Sequence, residues 1–149
     1  MKLSPHFTAV EFVASDYAAR HGIDNSLPKD LWLNAVATAE MMERIRGALD
    51  NKPIYITSGY RSPAVNTGIG SGMTSDHVKA LAVDFKCPAF GTPYEVAKHL
   101  STKLESLGIG QLIHEYGHWI HVSSRHPSKV INRVITISSA GTELGVQRV

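Results

Sequence analysis

The stretch Ser75-Asp76-His77-Val78-Lys79-Ala80-Leu81-Ala82-Val83-Asp84 sets a histidine and an aspartate seven positions apart, and Trp119-Ile120-His121-Val122-Ser123 follows far downstream. Two imidazoles and one carboxylate make a three-ligand zinc site. A fold that uses all three must bring a loop and two strands to one point, which constrains the chain more than its composition does. Three protein ligands leave the fourth tetrahedral position to water, whose pKa a zinc ion lowers to about 7, and that is metallohydrolase chemistry.

At 149 residues the chain suits one domain, residues 1–149, which buries about two-thirds of its unfolded surface without disulfides or a metal. A zinc ion is therefore expected to serve chemistry rather than to staple the fold. The formal charge of +2 and a sequence pI near 8.7 fall short of the clustered Lys/Arg footprint of a nucleic-acid binder, so no such partner is expected. Weak attraction to an anionic polymer such as a cell wall fits the same charge. Cys87 is the single cysteine, which excludes an internal disulfide. The start, Met1-Lys2-Leu3-Ser4-Pro5-His6, lacks an apolar signal core, and no stretch approaches the ~20 apolar residues of a membrane span. The expectation is a monomer made in the cytoplasm, without membrane insertion, that needs outside help to reach a wall.

Apolar spacing over Phe7–Ala19 predicts a short helix with a turn at His21-Gly22, and the stripe Leu31, Ala35, Met42, Ile45, Leu49 predicts a long helix from Pro28 to about Leu49. Ile54–Thr57 alternates as a strand, Gly59–Ser75 reads as a long loop, and a second strand is expected at about Ala80–Lys86. Thr92 and Glu95 form a capping box that opens a helix running through Leu104 to Gly108. Gln111–Glu115 and Trp119–Ser123 read as a hairpin and Val130–Ile137 as a further strand. The sum is an α+β domain, an antiparallel sheet with two or three helices packed on it.

Alternation sorts the strand residues. Asp84 shares a face with Ala82 and Lys86, whereas Val83, Phe85 and Cys87 point into a core, which sets Cys87 aside as a ligand. His121 shares a face with Trp119 and Ser123, so the indole is expected to wall the metal pocket.

The residues Ser75-x-His77 with Ala82-x-Asp84, the upstream Ser58-Gly59-Tyr60-Arg61-Ser62-Pro63 and the closing Trp119-Ile120-His121 resemble, in order and spacing, the zinc D-Ala-D-Ala carboxypeptidase family of murein peptidases. That family shares a superfamily with lysostaphin-type peptidases and hedgehog domains. Leu3-Ser4-Pro5-His6-Phe7-Thr8 and Gly22-Ile23-Asp24-Asn25 are similar to the opening of its small phage-type members, so the likeness covers nearly the whole chain. The resemblance implies a hedgehog/D-Ala-D-Ala peptidase-like fold, Zn2+ held by His77, Asp84 and His121, and peptidoglycan peptide stems as substrate. It implies that Arg61 binds the substrate carboxylate or the tetrahedral oxyanion, a role suited to a fixed, always-charged guanidinium. Ser75 is expected either to hydrogen-bond substrate or a group behind the ligands, or to serve as a turn serine bonded to backbone. Trp119 is expected to line the substrate pocket. A glycine is usual three positions after the first ligand, and here it is Ala80. If that glycine provides a positive φ, Ala80 must strain or shift the turn.

A zinc peptidase also needs a base that takes the proton of the attacking water and passes it to the leaving amine. Family members often carry an acidic residue three positions before the last histidine, where this chain has His118. Glu115 is the nearest carboxylate. A three-residue loop Tyr116-Gly117-His118 pairs Glu115 with Trp119 and puts Glu115 on the face of His121; a two-residue loop puts it on the far face and brings His114 round. Small phage-type members carry Glu at this spot ahead of an aromatic and Gly, which favours Glu115, with His118 as the reserve base in the manner of lysostaphin-type relatives.

The sequence thus points to an endolysin-like peptidoglycan peptidase acting on the wall after release from the cell. A chromosomal D,D-carboxypeptidase differs from it mainly in substrate. The alternative of another class is a non-catalytic zinc-containing binding module of hedgehog type. The presence of both Arg61 and a base candidate favours the enzyme.

Overall fold

Hydroxyl caps divide the first predicted helix. In a computed structural model that describes residues 1–72 and 74–149, Thr8 accepts from the Glu11 amide to start α1 (Ala9–Val13). Ser15 accepts from the Ala18 amide to start α2 (Asp16–His21), which ends at Gly22 in the left-handed conformation. Ahead of them, β1 (Lys2–Ser4) and β2 (Phe7–Thr8) pair as a small antiparallel ribbon. The long helix begins as a 3-10 turn at Lys29–Leu31 and continues as α3 (Trp32–Ala48); Asp50 and Asn51, both at φ 57°, end it.

Part of the expected loop over Gly59–Ser75 is helical. Ser62 accepts from the Val65 amide and Pro63 fills the first turn of α4 (Pro63–Gly68), a start signal masked by the surrounding Gly, Ser and Thr. That expected loop includes Met73, which lies outside the described residues. The helix expected from Thr92 to Gly108 is two helices, α5 (Pro93–Leu100), with its capping box formed, and α6 (Leu104–Leu107); at the break the Ser101 hydroxyl donates to the Lys98 carbonyl instead of continuing the helix.

Six strands, β3 (Tyr55–Ser58), β4 (Ala82–Lys86), β5 (Ile109–Glu115), β6 (Trp119–Ser124), β7 (Arg133–Ser138) and β8 (Gly141–Leu144), form one sheet in the order β3-β4-β6-β5-β7-β8. The α+β class holds, with one departure from an antiparallel sheet: β5 and β7 run parallel. A parallel pair needs a return path, and β6 is that path, so residues 125–132 need only pass the end of β5. Val130 and Ile131, expected in the strand, are exposed ahead of it.

The sheet has two unlike faces. Val83, Phe85, Leu112, Ile120 and Val122 are fully buried against Ala35, Ala39, Met42 and Ile45 of α3 and Val96, Ala97 and Leu100 of α5. Cys87 belongs to this core. The opposite face carries Asp84, Glu115, His121 and Ser123. Among the described residues no helix is long and apolar enough to cross a membrane.

Candidate metal centre

Asp84 and His121 meet because they are direct partners on neighbouring antiparallel strands, β4 and β6. His77 arrives from a 3-10 turn, Asp76–Lys79, that precedes β4. One nitrogen from each histidine and one oxygen from Asp84 lie within 4.8 Å of one another, all three residues buried. The His121 Nδ1 is 2.9 Å from Asp84 Oδ1 and the His77 Nε2 is 3.3 Å from the same oxygen.

The back of each ring is held. His77 Nδ1 lies 2.6 Å from the Gly59 carbonyl, which can only accept, so Nδ1 carries the proton and Nε2 turns its lone pair inward. That Nε2 is buried without a hydrogen-bond partner. A lone pair facing a carboxylate oxygen at 3.3 Å is a poor contact that a cation between them converts into ligation, so the donor set fits a metal ion. His121 Nε2 is 3.0 Å from Ser123 Oγ, which leaves Nδ1 for the centre.

Protonation follows the same geometry. Burial pushes the Asp84 carboxyl up, but His77 and His121 outweigh it and hold it well below the usual carboxylate range. Burial lowers His77 despite Asp84. Burial also opposes charge on His121, yet its hydrogen bond to Asp84 prevails and raises it.

The turn that presents His77 is braced from several sides. Ser75 accepts from the His77 amide, so its hydroxyl serves the backbone-bonding alternative. Ala80 takes the left-handed conformation itself, at φ 57° and ψ 29°, where a Cβ is unfavourable. Thr38 of α3 donates to the Ala80 carbonyl at 2.7 Å and lies 2.8 Å from Ser124 Oγ. Arg61 donates its backbone N–H to the His77 carbonyl.

The hairpin between β5 and β6 has the three-residue loop. Glu115 pairs with Trp119, Tyr116 and Gly117 both have positive φ, and the His118 amide donates to the Glu115 carbonyl. Glu115 thereby stands on the metal face with Oε1 4.0 Å from His121 Nδ1. Burial, then the Asp84 charge, raises its pKa above the usual value. His114 goes to the far face. His118 lies exposed at the tip, stacked on Trp119, and among the described residues no hydrogen bond or ion pair ties it to the three-residue cluster. Arg61 sits in the field of Asp84 and Glu115 with a buried, unpartnered Nε. Trp119 lines a cavity of about 300 Å³ with Thr57, Ser58, Asp84 and Lys86, and its indole N–H is buried without a hydrogen-bond partner among the described residues.

A family model described as Peptidase M15 matches residues 5–123, a span that ends just past His121. The chain belongs to the M15 peptidase family. Comparison with curated proteins finds no match. M15 peptidases are zinc-dependent, and the buried His77–Asp84–His121 set is able to hold such an ion. Residues 124–149, with β7 and β8, lie beyond the M15 match.

Sequence reasoning missed the groups behind the ligands. The His-x-Ser spacing of His121 and Ser123 on one strand face was the available signal for the Ser123 bond. The Gly59 carbonyl and Thr38 carry no signal of this kind, since each meets its partner through tertiary packing.

Proposed function

We propose that the protein is a zinc peptidase that hydrolyses an amide bond in the peptide stems of bacterial peptidoglycan, and that it reaches the wall after release from the cell. His77, Asp84 and His121 are the ligands. A zinc ion held by them supplies Lewis acidity and makes water a competent nucleophile near neutral pH. The observation that carries the reading is the unpartnered, inward-facing His77 Nε2 beside Asp84, with a second carboxylate, Glu115, 4.0 Å from His121.

Glu115 is the proton carrier in this reading: a carboxylate Oε takes the proton of the attacking water and returns it to the departing amine nitrogen. Burial, which raises its pKa, helps it hold the proton between those two events. Arg61, anchored through its backbone to the His77 turn, offers its guanidinium to the oxyanion or to a substrate carboxylate. Trp119 walls the cavity that contains Asp84. Ser75 contributes by holding the His77 turn.

The test is incubation with purified murein sacculi and identification of the new termini by mass spectrometry. Glu115→Gln is expected to keep zinc and to lower turnover by roughly 10²- to 10⁴-fold, the range of general acid–base catalysis, while His118→Ala costs far less. The reverse ranking assigns the base to His118. Zinc uptake without hydrolysis by the unaltered protein marks a non-catalytic zinc module.

A further inference from the structure

The metal face of the sheet continues past the ligands into residues that lie outside the family match. Ser123, whose hydroxyl holds His121, pairs with Gln111 on β5, and Gln111 pairs with Arg133 on β7. Side chains of residues aligned across a sheet share a face, so Ser123, Gln111 and Arg133 form one row running away from the centre. With strands spaced ~4.8 Å apart, Arg133 starts ~10 Å from Ser123, a distance that about three residues of an extended peptide cover.

Gln111 and Arg133 line a cavity of about 370 Å³ together with Asp76, Ser128 and Lys129. Asp76 adjoins the ligand His77 and lies 3.0 Å from Lys129, so these two charges satisfy each other. The Ser128 hydroxyl is taken by His126. Arg133 makes no hydrogen bond or ion pair among the described residues, and neither does the Gln111 amide; Arg133 is exposed at the mouth of the cavity. The cavity therefore has one surplus positive charge, on a side chain whose planar fork matches a carboxylate, with an amide donor beside it.

We propose that the Gln111–Arg133 end of this row is a substrate subsite that takes the pendant carboxylate of an acidic stem residue about three positions from the cleaved bond. The proposal deepens the peptidase reading and rests on it for the position of the cleaved bond. It also assigns a purpose to β7: its parallel pairing with β5 is what lays Arg133 next to Gln111 on the metal face.

Two synthetic stem peptides, L-Ala-γ-D-Glu-L-Lys-D-Ala-D-Ala with the glutamate α-carboxylate free or amidated, test it on the full-length zinc-loaded protein. Arg133→Gln is expected to lower kcat/KM for the free-acid peptide about 10- to 100-fold, mainly through KM, as loss of a charge-assisted hydrogen bond does. The amidated peptide should be unaffected, and Arg133→Lys should recover part of the loss. Equal loss on both peptides, or none on either, overturns the subsite while leaving the peptidase reading in place. Calorimetric binding of the same peptides to the Glu115→Gln protein reads the subsite without hydrolysis. Acid-over-amide preference abolished by Arg133→Gln upholds it even if the unaltered protein cleaves neither peptide, and absence of that preference overturns it.

Discussion

The two faces of β4 and β6 use adjacent residues for opposite ends. Val83 and Phe85 flank Asp84, and Ile120 and Val122 flank His121, so each strand alternates between fully buried carbon and ionisable ligand. The helix-covered face gains stability from apolar area removed from water, about 25 cal/mol per Å². The other face holds a carboxylate and two imidazoles that are also buried, and their charges are satisfied by one another rather than by water. The histidines make the same point. His121 is raised because Asp84 outweighs its burial, whereas His114, one strand over on the helix side, is lowered because burial prevails over the single carbonyl of Gln147. Face alone does not set the direction: His77, at the metal side, is lowered because burial prevails over Asp84 there.

Substitutions one residue apart can break this comparison. Asp84→Asn is expected to bring the largest effect, loss of bound zinc and of hydrolysis to background, with the far-ultraviolet dichroism of a folded chain. Chelation of the unaltered protein should do the same reversibly, because the domain is large enough to stand without the metal. Metal analysis showing full zinc in Asp84→Asn, or chelation unfolding the chain, would remove the division of labour between the faces. Phe85→Ala should do the converse and cost about 3–5 kcal/mol of stability, read by denaturant unfolding, while each folded molecule still binds one zinc.

The histidine contrast predicts a pH effect. With its pKa lowered in the fold, neutral His114 contributes stability that is present above the ordinary histidine range and lost as pH falls through the lowered value. The gap in unfolding midpoint between the zinc-loaded protein and its His114→Asn variant should therefore shrink as pH is taken from about 7.5 to about 5; a gap that widens refutes the assignment. Ala80→Gly should bring the smallest change. Relief of the left-handed strain, about 1 kcal/mol, is offset by greater freedom of the unfolded chain, about 0.4–1 kcal/mol, and by loss of a buried methyl. Denaturant midpoints should differ by less than about 1 kcal/mol, with zinc affinity unchanged.

What could be read from the sequence follows the range of the forces involved. The alternation Val83-Asp84-Phe85 and Ile120-His121-Val122 is local, so the division of faces and the exclusion of Cys87 from the centre were legible. The hairpin loop length was not: both registers satisfy the local pattern, and only the pairing of Glu115 with Trp119 selects one. The α4 start signal, Ser62-Pro63, was present but outvoted by the composition around it. β8 is exposed at all four positions and so has no apolar period to read. The parallel β5–β7 pairing depends on a contact between segments that carry no mutual label, and the cavity at Gln111 and Arg133 inherits that obscurity.

Gly59 ties the amino-terminal segment to the metal centre. A Cβ there would lie 2.5 Å from the Phe12 carbonyl oxygen, the same oxygen that accepts from the Tyr60 amide, and the Gly59 carbonyl in turn fixes the His77 ring. The last turn of α1 and the first ligand are thus two hydrogen bonds apart, and the ligand's tautomer is a record of whether α1 has docked. A chain whose amino-terminal residues had not packed would leave His77 free to present either nitrogen, so tight metal capture is expected only once these two distant segments have met.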